Sequence, residues 1–322
     1  MPVMVRGTSG SENSMPQDTT RNDAIHVALT FDDKYWAPAY ATMRSIAIVS
    51  QRRASIVFHL LHFGLSDDHR KDLEYITDEF GSKIVFYDLL KNQDILDRIA
   101  QLPTVKYKHL HAIVYIRLFL DKIIDQEAKR LIYLDCDMMV REPIEQLAYM
   151  DLEGHPIAAA VDPYRTGFQT GRDFLPKSYF DTTDYYFNAG LMVIDRDAFA
   201  ATDVVPTVLR KVTEAEFQGL YYDQDMLNIA FRNNWKQLSP MWNLQNPSWP
   251  HEALDPHLIH YTGTNKPWYL FSRTAFKRNY RHIMRNEYFY RFLRERLVRR
   301  YAFLKPFIST RRPETEPPAR WS

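Results

Sequence analysis

The 322-residue chain has one cysteine, Cys136, which excludes an intrachain disulfide framework and fits a reducing compartment and a small buried side chain. No uninterrupted apolar run reaches the roughly 18 to 20 residues that a membrane-spanning helix needs, which leaves a soluble or peripheral protein. The first 23 residues are rich in Ser, Thr, Asn and Gln, lack the apolar stretch of a secretory signal, and read as a disordered tail. No Gly-X-Gly-X-X-Gly follows the first apolar strand, which disfavours a Rossmann dehydrogenase. Ala28–Tyr35 also lacks glycine, against the glycine-rich loop expected of a sugar-nucleotide pyrophosphorylase.

What is present suits a globular protein. Hydrophobic residues make up 45% and aromatics 14%, ample for a core, and the length fits one main α/β domain with appendages. The net charge of +1 hides an asymmetry: from Arg273 onward fourteen Lys plus Arg face four Glu, a net of +10, leaving −9 on the first 272 residues. Within that basic end Phe289, Phe292, Leu293, Leu297, Tyr301 and Leu304 recur at helical spacing among Arg291, Arg294, Arg296, Arg299 and Arg300. Such a helix either lies on an anionic membrane or packs on the body of the protein with a solvated basic face; no nucleic-acid motif accompanies it.

Apolar strands at 25–31, 55–63, 83–89, 131–134, 156–161 and 191–194 alternate with helical stretches at 39–50, 66–80 and 112–124. The pattern predicts a largely parallel sheet covered on both faces, with its ligand site beyond the carboxyl ends of the strands. Asp32, Asp135, Asp137 and Asp162 all fall at such ends.

The most informative segment is Leu-Ile-Tyr-Leu-Asp-Cys-Asp-Met-Met-Val at 131–140. Carboxylates beside a core are costly unless something positive meets them, and in extended chain Asp135 and Asp137 share a face, able to grip one hard cation whose other ligands come from a diphosphate. Alone, such a pair is often no more than strand-end and turn residues. Three further segments add weight: Tyr-Tyr-Phe-Asn-Ala-Gly at 185–190, Asp-Gln-Asp at 223–225 and His-Tyr-Thr-Gly-Thr-Asn-Lys-Pro-Trp at 260–268.

With these four segments in this order, the chain resembles glycosyltransferase family 8, which includes bacterial lipopolysaccharide α-galactosyl- and glucosyltransferases and glycogenin, from about Ile25 to Trp268. The resemblance implies a GT-A-like, Rossmann-type nucleotide-sugar-binding domain with a mostly parallel mixed sheet. It implies a transferase that retains the anomeric configuration of its donor, with galactose or glucose from a UDP-sugar the favoured hexose. A non-catalytic nucleotide-sugar-binding protein is the alternative from another class.

Matched residue by residue, the resemblance places Asp32 and Tyr35 at the uracil and ribose. Lys34 departs from the asparagine frequent in the bacterial galactosyltransferases and reaches a phosphate or solvent instead. Asp135, Asp137 and His260 match the metal ligands, a mixed oxygen and nitrogen set suited to Mn2+, with Mg2+ as substitute. Cys136, Gly263 and Lys266 join the nucleotide and diphosphate set, Gly263 for close backbone approach and Lys266 as a point charge.

Arg117, on an otherwise apolar stretch, goes beside the donor sugar and diphosphate or forms a buried structural ion pair. Asp162, Asn188, Gly190, Asp223 and Gln224 match donor-sugar contacts. Retention runs by double displacement, with Gln224 or Asp225 as nucleophile, or by same-face substitution through an ion pair, with Gln224 as stabiliser; the second is favoured because an amide is a poor nucleophile.

The expected organisation is a disordered tail at 1–23, a catalytic domain at 24–270 and a basic, aromatic-rich helical region at 271–322. The expected acceptor is a glycan or lipid-linked saccharide, met through variable loops such as Tyr164 to Asp184. The expected place is the cytoplasm, peripherally at the inner membrane face, in assembly of lipopolysaccharide or another surface polysaccharide.

Overall fold

A computed structural model describes residues 23–102, 112–164, 185–213, 220 and 222–309, with side chains in the last helix through Tyr301. The leading tail and most of the loop expected to meet the acceptor lie outside the described residues.

Seven strands form the main sheet in the order β3-β2-β1-β4-β7-β6-β8: β1 Ile25–Asp32, β2 Ile56–Phe63, β3 Lys83–Asp88, β4 Arg130–Leu134, β6 Ile157–Ala159, β7 Leu191–Asp195 and β8 Lys236–Gln237. The run from β3 to β4 is parallel; β7 is antiparallel to both β4 and β6, and β8 is parallel to β6. β5 Met138–Val140, β9 Leu244–Gln245 and β10 Leu258–His260 make a second, three-stranded sheet in the order β5-β10-β9.

The apolar runs follow from burial on both faces. Val27, Leu29, Phe31, Ile132, Leu134, Leu191 and Val193 point into one core, while Ala28, Leu131, Tyr133, Met192 and Ile194 alternate into the other. The helix Trp36–Val49 covers the first core with Trp36, Tyr40, Met43 and Ile46; the helix Tyr222–Ala230 helps cover the second with Met226 and Leu227.

The helix Asp67–Phe80 starts at Ser66, whose hydroxyl caps the His69 N–H, and ends at Gly81 with φ +74°, the left-handed turn that glycine adopts without strain. The helix expected from Ala39 begins at Trp36 because Pro38 falls in its first turn, where a missing N–H costs nothing. The helix expected over Ala112–Ile124 is instead a 3-10 helix, Ala112–Phe119, with one α-turn, Leu120–Ile123. Its β-branched residues Ile113, Val114 and Ile116 weaken the α preference.

The basic end forms the helices Lys277–Met284 and Asn286–Ser309. Phe276, Tyr280, Met284, Tyr288, Phe289 and Phe292 are buried in the same core as β1. Tyr288 packs edge-on against Trp36 and Tyr40, and Arg291 pairs with Asp72. The stripe therefore divides: Phe289 and Phe292 are 3% exposed, Leu297 59% and Tyr301 62%. Among the described residues no helix is long and apolar enough to cross a membrane.

Candidate active site

Neighbouring parallel strands β1 and β4 bring Asp32 and Asp135 to the same carboxyl-end edge of the sheet, β1 running on to Asp32 past the Leu29–Leu134 pair that closes β4. The backbone then passes between sheets. The Asp135 N–H donates to Gly190 O at 2.8 Å at the edge of the large sheet, and the Tyr261 N–H donates to Asp137 O at 3.0 Å beside the small one. The extended chain expected through Asp135–Asp137 is instead a turn between β4 and β5, and it sends Cys136 away from the carboxylates: its thiol is buried 3.5 Å from Thr30 O, and burial pushes its pKa well up. Its side chain thus lies in the core, apart from the two carboxylates.

Asp135, Asp137 and His260 each bring a ligand atom to within 4.8 Å of the others. His260 closes β10 opposite Met138, so the small sheet carries the imidazole to the carboxylates. Its Nδ1 lies 3.0 Å from Asn243 Oδ1, while Asn243 Nδ2 donates to Asn188 Oδ1 at 3.0 Å. An amide donating through nitrogen offers its oxygen as acceptor, so the His260 proton sits on Nδ1 and the Nε2 lone pair faces Asp137 Oδ1 at 3.3 Å and Asp135 Oδ2 at 3.8 Å. Three acceptors converging there are satisfied by a cation.

Burial would raise the Asp137 carboxyl, and a protonated His260 together with Lys266 would hold it well below the usual range; with His260 neutral, the Lys266 ammonium 2.5 Å from Oδ2 is the cation that keeps the group ionised and ready to ligate. The donor set therefore fits a divalent metal.

Asp135 Oδ1 accepts from Tyr133 Oη at 3.0 Å and pairs with Arg117 Nη2 at 3.0 Å, leaving Oδ2 for the cluster. Arg117 also places Nε 2.7 Å from Asp223 Oδ2, near enough for an ion pair though not aligned as a hydrogen bond, and donates from Nη1 to Ala189 O at 2.9 Å. It stacks over the Tyr133 ring with 4.8 Å to the centroid. Burial pushes Asp223 up to about 6 despite Arg117.

Gly190 packs beneath the cluster. A Cβ there would meet His260 Cε1 at 2.4 Å and both Asn188 Oδ1 and Asp135 Oδ2 at 2.9 Å, so only glycine lets these groups converge.

Beside it, Gln224 Oε1 accepts from Ala189 N at 3.1 Å and Asn188 Nδ2 at 3.2 Å, and Gln224 Nε2 donates to Asp162 Oδ2 at 3.2 Å. Asp162, Asn188 and Gln224 thus form one polar surface. Asn228 holds it from behind, accepting from Phe187 N and donating to Gln224 O. Asp225 is wholly buried, its Oδ1 accepting from Tyr186 Oη at 2.6 Å.

At the other end, Asp32 caps Lys34 N at 3.0 Å, and half-exposed Tyr35 meets Trp268 edge-on, centroids 5.9 Å apart. Burial, then the charge of Asp137, pushes the Tyr35 hydroxyl up to about 12. Lys34, Tyr35 and Trp268 line a groove of about 980 Å³ together with Phe292 and Arg296. Gly263, at φ +76°, has open space where a side chain would project.

Asn243, Tyr133 and Asn228 were not singled out from the sequence. The available signal for Asn243 was weak, an amide in the polar run Asn-Leu-Gln-Asn at 243–246.

The glycosyl transferase family 8 model matches residues 26–270. General stress protein A of Bacillus subtilis is 26% identical over 288 residues, 84% of this chain and 93% of that protein. The lipopolysaccharide 1,3-galactosyltransferase of Salmonella typhimurium is 21% identical over 257 residues, 77% of this chain and 74% of its own. The match to glycosyltransferase GlyB of Streptococcus pneumoniae spans 45% of that longer protein. Among solved structures, the galactosyltransferase LgtC with donor and acceptor sugar analogues superposes with a TM-score of 0.67 at 22% identity, over 81% of this chain and 95% of that one.

Proposed function

The chain belongs to glycosyltransferase family 8, and from that premise we propose that it is a retaining, metal-dependent hexosyltransferase using a UDP-sugar, galactose or glucose favoured. The convergence of Asp135, Asp137 and the unprotonated Nε2 of His260 carries this reading. Membership in a family of transferases displaces the earlier alternatives of a pyrophosphorylase or a non-catalytic binder.

Asp135, Asp137 and His260 would hold Mn2+, or Mg2+ in its place. When bound, such an ion neutralises charge on the departing diphosphate. Asp32 and Tyr35 take the uracil and ribose, Lys34 a phosphate or solvent, and Gly263 and Lys266 the diphosphate. Asp162, Asn188, Gly190 and Asp223 orient the donor hexose. Arg117 acts from behind, fixing Asp135 and Asp223 through direct ion pairs.

The reaction breaks the bond between the anomeric carbon and the β-phosphate oxygen and forms one from that carbon to an acceptor hydroxyl on the same face, whose proton passes to the departing phosphate. Gln224, its carbonyl oxygen held by Ala189 and Asn188, stabilises the cationic sugar. The burial of Asp225 against Tyr186 supports a structural role for it and this ion-pair route over double displacement.

The acceptor is a glycan or lipid-linked saccharide, in lipopolysaccharide or other surface-polysaccharide assembly; the named activity of the Salmonella relative supports this. The exposed Leu297, Val298 and Tyr301, flanked by Arg294, Arg299 and Arg300, support peripheral attachment to the anionic inner face of the cytoplasmic membrane.

The deciding assay measures UDP release from UDP-galactose, UDP-glucose and UDP-N-acetylglucosamine, with and without Mn2+, against Asp135→Ala. Metal-dependent release from one sugar, lost in the variant, is expected. Release that persists in the variant or without metal refutes the proposed site.

A further inference from the structure

Lys266 extends its ammonium to the metal-ligand cluster itself. Nζ lies 2.5 Å from Asp137 Oδ2 and 2.6 Å from Tyr261 O, and the side chain is 12% exposed. The other Asp137 oxygen, Oδ1, faces His260, which is fixed through Asn243. Asp137 thus has one rigid partner and one on a flexible four-carbon stem.

The lysine sits in a short loop between two buried anchors, Tyr261 and Trp268. Gly263 within it has a positive φ and no neighbour within 4 Å of a built Cβ, so the loop has room to change its path. Trp268 packs on Tyr35, linking the loop's far end to the nucleotide end of the site.

We infer that Lys266 is an exchangeable counter-ion of Asp137, which disfavours a divalent cation until a nucleotide diphosphate offers the ammonium another anionic partner. This rests on the metal site proposed above. A cation ligated by Asp137 would lie within about 5 Å of an ammonium bonded to the same carboxylate, and in a half-buried site like charges at that separation repel strongly.

Moving Lys266 onto the diphosphate relieves the repulsion and adds a charge-assisted hydrogen bond. Metal and nucleotide therefore reinforce each other by more than their direct contact. Linkage requires that each raise the affinity of the other by the same factor. Lys266 acts here as a positioning residue, and its loss should leave a signature in metal binding in the absence of nucleotide.

The test is calorimetric titration of the full chain with Mn2+ alone, then with UDP added. Lys266→Met and Lys266→Gln, the latter keeping a hydrogen-bond donor, should each bind Mn2+ at least about tenfold more tightly than wild type without UDP. Both should bind UDP more weakly with Mn2+ present, so the factor by which UDP tightens Mn2+ shrinks. Lys266→Arg should keep Mn2+ affinity near wild type. Circular dichroism confirms folding, and two neutral variants guard against loss of one.

Unchanged or weaker Mn2+ binding in the folded neutral variants overturns the inference while leaving the metal site standing. Mn2+ binding that survives Asp135→Ala overturns the metal site and this inference with it.

Discussion

Replacing Gly190 by alanine tests whether the three ligand atoms converge because the floor beneath them is bare. The added Cβ would stand 2.4 Å from His260 Cε1 and 2.9 Å from Asp135 Oδ2. Carbon atoms rest at ~3.5 Å or more, so relief demands a displacement of about 1 Å. His260 is poorly placed to yield, being buried and held at Nδ1 by Asn243. Metal–ligand distances tolerate only about 0.2 Å, so a shift of that size removes a ligand.

The backbone at Gly190 is outside the positive-φ set, so alanine brings no conformational strain and gains ~0.4–1 kcal/mol through the unfolded chain. Overpacking costs about 1–3 kcal/mol, leaving a net loss between about 0 and 2.6 kcal/mol. The expected outcome is a modest loss of stability in EDTA with Mn2+ affinity down by about 100-fold, the upper end for disturbing a ligand's support. Gly154→Ala, at φ +78° with open space around it, should lose stability without touching metal affinity. Mn2+ affinity in Gly190→Ala within twofold of wild type would refute the argument.

Asn243→Leu should lower Mn2+ affinity by about 10- to 100-fold with little change in UDP affinity measured without metal, because it frees the His260 tautomer; unaltered metal affinity would show that the amide is not what orients the ring. Asp223, raised to about 6 by burial, binds more protons in the native than in the unfolded state from about pH 4 to 6, so its contribution to stability falls as pH rises through that window. At ~1.4 kcal/mol per pH unit this is about 3 kcal/mol by pH 7, so in urea and EDTA Asp223→Asn should gain relative to wild type across that range; a pH-independent difference would contradict this. Phe289→Ala should cost about 3–5 kcal/mol in denaturant, whereas Leu297→Gln, Val298→Gln and Tyr301→Gln together should leave stability within about 1 kcal/mol and abolish sedimentation with anionic vesicles. Full vesicle binding by the triple variant would remove the proposed membrane face.

The large sheet could be read from the sequence because β1, β2, β4 and β7 are apolar runs buried on both faces, a pattern strong at short range. Strands of two or three residues such as β5, β9 and β10 carry no periodicity, and the small sheet is therefore not legible in the sequence. Phe289 and Leu297 occupy equivalent places in one helical stripe, yet one is buried and the other is not, because what covers a helix face is decided by distant chain. At the site, Asp135, Asp137 and His260 stood out through residue type and order. Asn243 did not, since its role depends on which amide atom faces the imidazole, a fact of packing.

The passage of the chain from one sheet to the other at Asp135–Asp137 gives the site the mechanics of a joint. Asp135 is bonded to the edge of the large sheet through Gly190, while Asp137 and His260 stand beside and on the small one, whose strands share a core with the large. An ion spanning all three would act as a pin through that joint, adding to the shared core a link between the sheets that would also be the group on which the donor rests. Loosening the small sheet, which consists of three short strands, would then be felt at the pin before any loss of helix or strand in the rest of the molecule.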